Sequence, residues 1–354
     1  MKLAPVAREL ARRPDVGHVI LHTGQHYDRE MSDDFFTDLG IPEPHENLEV
    51  GSGSHARQTA AILERFEAFV ASDRPDVVLV YGDVNSTLAA ALVCAKAGIP
   101  VAHVEAGLRS ADWSMPEEIN RIVTDRLSSL LLLPSRDAAD NLRAEGVPSE
   151  RLEFVGNVMI DSLVRALPAA RERDAAAGLG VEPRGYVVVT LHRPSNVDRP
   201  DRLRAILRVL AELSRRHPVL FPAHPRTRDR IETLGWSVPP GCDLRLLDPA
   251  PYLSMLSLLA SSRLVITDSG GIQEETSFLG IPCATLRPNT ERPITCTAGT
   301  NTLLPPDDPG LLEACIELLD GGPTGDAACA IERWDGRTAG RIVDVLCDGG
   351  HYPV

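Results

Sequence analysis

Lysine is almost missing from this chain: among 36 Lys and Arg residues only Lys2 and Lys96 are lysines, and 50 Asp and Glu bring the net charge to −14. A nucleic acid is gripped through its phosphates by a basic stripe, so this balance excludes a nucleic-acid-binding surface. A small anionic ligand can still be held by a local cluster of Arg, His and helix N-termini. The seven cysteines, Cys94, Cys242, Cys283, Cys296, Cys315, Cys329 and Cys347, contain no C-x-x-C pair. An odd, scattered set reads as free thiols in a reducing compartment. No group of His, Asp and Glu has zinc-ligand spacing, so neither a metal nor another cofactor is expected. No apolar run reaches the roughly 18 residues of a membrane span, and no signal peptide is visible. These absences together predict a cytoplasmic protein with no membrane partner.

What is present is a globular composition, 43% hydrophobic and 24% charged over 354 residues, too long for one ordinary core. Apolar strands alternate with amphipathic helices almost throughout, which predicts an α/β fold with parallel sheets and helices on both faces. Strands are expected at residues 19–22, 77–81, 101–104 and 130–134, with helices at 55–72, 86–97, 115–127 and 136–145. A polar, Ala- and Arg-rich stretch at 168–184 reads as the region of an interdomain linker. A second alternating series then runs from 186 to 279. The division predicted is an N-terminal Rossmann-like domain at 1–167 and a C-terminal one at 168–328, with the ends of the two sheets facing one cleft.

The second series culminates in Asp268-Ser269-Gly270-Gly271-Ile272-Gln273-Glu274-Glu275. It follows the apolar run 264–267 and precedes residues at helical spacing. A strand entering a helix through a Gly pair leaves backbone N–H groups unpaired, and a phosphate can satisfy them. Ser269 adds a hydroxyl, and Glu275, one turn on, can accept from a ribose hydroxyl. The pattern is neither Gly-x-Gly-x-x-Gly nor a P-loop. Other polar residues gather where strands should end: Asp83 after 77–81, His103, Glu105 and Arg109 around the next turn, and Glu117 and Glu118 at a helix start. His192 and Arg193, then His224 and Arg226, do so in the second half. Each has a structural alternative: Asp83 as a helix cap, the two Glu as first-turn acids, and His192 and His224 as structural histidines. Their joint placement favours a nucleotide diphosphate held by the second domain and carboxylate chemistry supplied by the first.

On these residues the chain resembles the non-hydrolysing UDP-N-acetylglucosamine 2-epimerases. The motifs that carry the resemblance are Thr23-Gly24-Gln25-His26-Tyr27-Asp28, Gly82-Asp83, His103 to Arg109, Pro116 to Arg121, Gly156-Asn157, Leu191-His192-Arg193, Asp268 to Glu275 and Thr290-Glu291-Arg292-Pro293. The resemblance implies a two-domain glycosyltransferase-B fold, with the last segment, 329–354, returning to the first domain. It implies interconversion of UDP-GlcNAc and UDP-ManNAc through loss of the C2 proton and of UDP, then re-addition, by a homodimer. By the same resemblance Asp83, Glu105, Glu117 and His192 are catalytic. Ser269, Gly270 and Gly271 contact the diphosphate, Glu275 the ribose, and Arg292 the nucleotide, with His224 and Arg226 adding positive potential. Gln25, His26 and Arg57 match a site at which some members bind an activating second UDP-GlcNAc. The family's N-terminal strand and Gly-Thr-Arg-Pro-Glu loop would precede Lys2-Leu3-Ala4-Pro5, so a native start upstream of Met1 is expected. Another UDP-2-acetamido sugar, such as a 2,3-diacetamido uronate, remains an open substrate, as does an inactive nucleotide-sugar-binding role.

Overall fold

The computed structural model describes residues 1–24, 40–321 and 331–348. The chain is α/β and divides into two units: the described residues of Met1–Ser162 with Glu332–Val354, and those of Leu163–Ile331. Every strand pair among the described residues is parallel.

In the first unit β1 (Leu21–His22) pairs with β2 (Glu46–Asn47), while β3 (Val78–Tyr81), β4 (Val101–Val104), β5 (Leu130–Leu133) and β6 (Leu152–Phe154) form a four-stranded sheet in that order. The four leucines of β5 are all buried, as a parallel strand covered on both faces requires. Leu130 and Leu132 join Val6, Leu10, Ile342 and Val343 on one side, and Leu131 and Leu133 join Ala138 and Leu142 on the other. The helices Leu3–Leu10 and Thr338–Asp348 thus cover one face together. Removing each such leucine from water contributes about 2 kcal/mol.

The returning segment is fastened to this unit at several points. The Trp334 indole N–H donates to the Pro134 carbonyl at 3.1 Å. Asp161 accepts from the backbone N–H groups of Thr338 and Ala339 at 3.1 and 2.7 Å, satisfying the open start of the last helix. Gly156, at φ 98°, is the residue over which the segment passes, and a Cβ there would lie 2.3 Å from the Arg333 carbonyl oxygen.

The second unit holds β7 (Val187–Thr190), β8 (Val219–Pro222), β9 (Leu244–Leu247), β10 (Leu264–Thr267), β11 (Cys283–Thr285) and β12 (Asn301–Leu303) in the order β12-β11-β10-β7-β8-β9. Side chains alternate between its faces. Val187, Val189, Leu264 and Ile266 pack with the helix Pro200–Leu213, whereas Val188 and Val265 pack with Leu258 and Leu259 of the helix Tyr252–Ser261.

Residues 168–184 are not a linker at their start. The helix Val158–Arg173 carries the chain from the first unit into the second with Pro168 inside it. Proline there forgoes a bond to the Val164 carbonyl, on a side of the helix where Val164 is 38% exposed. The Ala- and Arg-rich composition that suggested a linker is that of a good helix former.

Candidate active site

Strand order in the second unit reverses between β10 and β7, and in open parallel sheets ligands bind beyond the carboxyl ends of strands at such a point. The two strands run in register there, Thr190 opposite Thr267, their hydroxyls 2.7 Å apart. His192 and Arg193 follow one strand and Asp268 to Gly271 the other. Asp268 is fully buried and collects donors: the backbone N–H groups of His192 and Arg193 at 3.1 and 3.0 Å, and the Asn196 side-chain amide at 3.1 Å. Burial alone would raise its pKa, but the His192 ring and these donors outweigh burial and hold the carboxyl below its ordinary range. His192 Nδ1 lies 2.9 Å from Asp268 Oδ1 while the ring stays half exposed, which leaves Nε2 as the nitrogen open to a ligand.

The helix Gly270–Leu279 begins immediately after. Its N-cap Ser269 is extended and makes no side-chain capping bond, so the hydroxyl and the first-turn amides are both open to an anion. Arg292 packs against this helix start: a Cβ on Gly270 would meet Arg292 Nη1 at 2.5 Å and Glu291 Oε1 at 2.7 Å, so a larger residue there would have to displace that ion pair. Arg292 donates to Glu274 Oε1 at 2.7 Å and to Glu291 Oε1 at 2.6 Å. Gln273 fixes the Arg292 loop to the helix start, accepting from Thr290 at 2.6 Å and donating to the Ser269 carbonyl at 3.2 Å.

Glu275 is buried on the same helix and accepts from the Tyr252 hydroxyl at 3.3 Å. Burial pushes its carboxyl up to about 7; the Tyr252 bond lowers it and neighbouring Glu274 raises it. The folded chain therefore holds a proton on Glu275 at pH values where the unfolded chain does not. Its contribution to stability is complete below about pH 4.5 and is lost as pH rises to about 7, on the order of 3 kcal/mol in all. Glu275→Gln should flatten this slope, and urea midpoints at about pH 5 and about pH 8 check it.

In the first unit the expected carboxylates meet different partners. Glu105 is buried at the end of β4 with φ 72°, a left-handed conformation costing about 1–2 kcal/mol for a non-glycine residue, and it pairs with Lys2 Nζ at 2.7 Å. Asp83 pairs with Arg121 Nη2 at 2.5 Å and does not cap its helix, whose N-cap is Val84. Glu117, in the first turn of the helix Pro116–Leu127, is partly buried and has no hydrogen bond or ion pair among the described residues. Its neighbour Glu118 is instead fully engaged, accepting from Ser110 N at 3.0 Å, Ala111 N at 2.8 Å and Arg121 Nη1 at 2.6 Å. It shapes the loop that delivers Glu117.

The family model for UDP-N-acetylglucosamine 2-epimerase matches residues 8–347. The chain belongs to that family. The UDP-N-acetylglucosamine 2-epimerase homolog of Methanococcus maripaludis is 41% identical over 350 residues, covering 98% of this chain and 96% of that one. The UDP-2,3-diacetamido-2,3-dideoxy-D-glucuronate 2-epimerase of Pseudomonas aeruginosa is 43% identical over 307 residues, 86% of this chain and 84% of the relative. Among solved structures, Methanocaldococcus jannaschii UDP-GlcNAc 2-epimerase in complex with UDP-GlcNAc and UDP superposes with a TM-score of 0.88 at 38% identity, covering 98% of this chain and 96% of that one. The two-unit α/β architecture is the fold of this family.

Within this family member, His192, Ser269, Gly270, Gly271 and Arg292 come together in the second unit through Asp268 and the Gly270 contact. His224 and Arg226 are exposed at another helix start: His224 accepts from Arg226 N at 3.3 Å as the N-cap, and Arg226 pairs with Asp198. Arg57 is exposed beside a hollow of about 550 Å3 lined by Gly51, Ser52, Gly53, Ser54 and Gln58, while Gln25 and His26 lie outside the described residues. Sequence reasoning missed Arg121, Asp125 and Lys2. Arg121 and Asp125 had a signal: with Glu118 they recur at helical spacing along one face of Pro116–Leu127, and that charged face is buried while Ile119 and Val123 are exposed. No helix among the described residues is long and apolar enough to cross a membrane.

Proposed function

We propose that this chain epimerises C2 of a UDP-2-acetamido sugar, interconverting UDP-N-acetylglucosamine and UDP-N-acetylmannosamine. The observation that carries the reading is what each unit holds: an anion-ready helix start flanked by His192 and Arg292 in one, and in the other Glu117, without a hydrogen bond or ion pair among the described residues, together with the cation-held carboxylates Asp83 and Glu105. Glu117 removes the C2 proton. The C–H pair becomes the C1–C2 double bond as the C1–O bond breaks, and that bonding pair leaves on UDP. A hydrogen on C2 is a poor acid, so stabilising the departing diphosphate must lower much of the barrier. Ser269, the amides of Gly270 and Gly271, His192 and Arg292 supply that stabilisation, and Glu275 holds the ribose. Reprotonation from the opposite face and return of UDP complete the inversion.

A second substrate is favoured by one specific likeness, the 43% identity to the diacetamido-glucuronate epimerase. Proton NMR in deuterated water tests both. Incubation with UDP-GlcNAc should place deuterium at C2 and generate UDP-ManNAc. Exchange only with the diacetamido uronate assigns the second substrate, and exchange with neither while UDP still binds removes the enzymatic reading.

A further inference from the structure

His103 stands on β4 with none of its side chain exposed. Its Nδ1 lies 2.6 Å from Asp125 Oδ1 and its Nε2 lies 2.8 Å from the Gly82 carbonyl oxygen. A carbonyl oxygen can only accept a hydrogen bond, and so can an ionised carboxylate. Asp125 is held as a carboxylate by groups that can only donate to it, the Arg109 guanidinium at 2.7 Å and the Gly107 N–H at 3.1 Å, both on Oδ2. The local charges agree. Arg109 reaches Asp125 Oδ2 at 2.7 Å but is also gripped through two nitrogens by Glu145, at 2.7 and 2.9 Å. Two carboxylates therefore share one guanidinium; Arg151, the other cation coupled to Asp125, reaches only its backbone carbonyl, at 3.4 Å, which leaves His103 as the remaining group on the carboxylate itself. Of the other titratable neighbours, Tyr81 on β3 is pushed strongly upward by burial and stays neutral, and Lys2 is paired with Glu105.

We propose that His103 is an imidazolium with a proton on each ring nitrogen, and that it acts as a positioning residue tying the Asp83 turn to the Glu105 turn. The Nε2 proton holds Gly82, the residue before Asp83. The Nδ1 proton holds Asp125, whose other oxygen accepts from Gly107 N at 3.1 Å, two residues beyond Glu105. Both glycines are left-handed, Gly82 at φ 65° and Gly107 at φ 81°. A Cβ on Gly107 would lie 2.6 Å from the Ala138 carbonyl oxygen, so the turn approaches that backbone closely and depends on its anchor to keep its place. A neutral ring could donate to only one of the two turns.

Neutron diffraction from crystals of the whole chain in deuterated buffer at about pH 8.5, where an exposed imidazole is neutral, reads the protons directly. Deuterium on both nitrogens of His103 is expected; a bare nitrogen, or deuterium on Asp125 in its place, overturns the proposal. The positioning role rests on the proposed epimerase reaction and is read separately. His103→Gln keeps a donor toward Gly82, and His103→Asn keeps one toward Asp125 only. With the Kd for UDP held within about two-fold, kcat should fall about 10-fold in the Gln variant and about 100-fold in the Asn variant. Equal losses in the two, or losses that track weaker UDP binding, make the residue merely structural. If His103→Asn does not fold, a crystal structure of His103→Gln decides the point, since the Gly82 turn should hold and the Gly107 turn shift; a Gly107 turn left in place overturns the clamp. A wild-type chain that epimerises no sugar would sink the functional reading and leave the neutron result standing.

Discussion

Glu117→Gln should lower turnover about 1,000-fold while leaving the fold and the Kd for UDP almost unchanged. The size of the effect follows from what a carboxylamide cannot do: it presents the same shape but no longer accepts a proton. The selectivity follows from the environment. Glu117 lies in a helix first turn, partly buried and without a hydrogen bond or ion pair among the described residues, so its replacement strands no buried donor. Asp83→Asn and Glu105→Gln would also lose activity, but each breaks an ion pair, with Arg121 or Lys2, and so confounds chemistry with structure. C2 proton exchange measured beside UDP titration and a urea transition checks the prediction. A Gln variant that exchanges C2 hydrogen at the wild-type rate would remove Glu117 from the proton transfer.

Asp268→Ala should cost about 3–5 kcal/mol of stability and abolish detectable epimerisation. The carboxylate is the acceptor for two backbone amides, one side-chain amide and the His192 ring. Alanine leaves those donors without their acceptor. Asp268→Asn separates the two consequences. It keeps one carbonyl acceptor and most of the volume, so a smaller stability loss of about 1–2 kcal/mol is expected. The charge that orients the imidazole is gone, and turnover should still fall about 100-fold. Urea denaturation of the two variants beside their turnover gives the comparison, and an Asp268→Asn enzyme of normal activity would show that His192 needs no such partner.

The sites of these predictions were unequally visible in the sequence. His192, Ser269, Gly270 and Gly271 stood out because they terminate apolar runs, and the end of a parallel strand is where backbone and side chains are released from the sheet. Asp83 and Glu105 were legible for the same reason. The helical spacing of Arg121 and Asp125 with Glu118 was visible but went unread, because a charged residue within a helix is expected to face water. The helix Pro116–Leu127 inverts that expectation, burying Glu118, Arg121 and Asp125 and exposing Ile119 and Val123. Only the partners brought in from β4 and the loops, distant in sequence, make that burial tolerable. His103 was read as a residue offered at a strand end, but its position within β4 turns it inward to Asp125. The start of 168–184 was misjudged for a local reason, since an Ala- and Arg-rich stretch after a proline can be either a linker or the end of a helix, and only the structure shows the helix Val158–Arg173 running through Pro168.

One consequence concerns the order in which the molecule is made. The second unit is a single continuous stretch, Leu163–Ile331, whereas the first needs the helix Thr338–Asp348 to cover the sheet face it shares with the helix Leu3–Leu10. A ribosome delivers that helix after the whole of the second unit has emerged. The unit begun first is thus the unit finished last, and part of its apolar sheet face waits for cover while the other core closes.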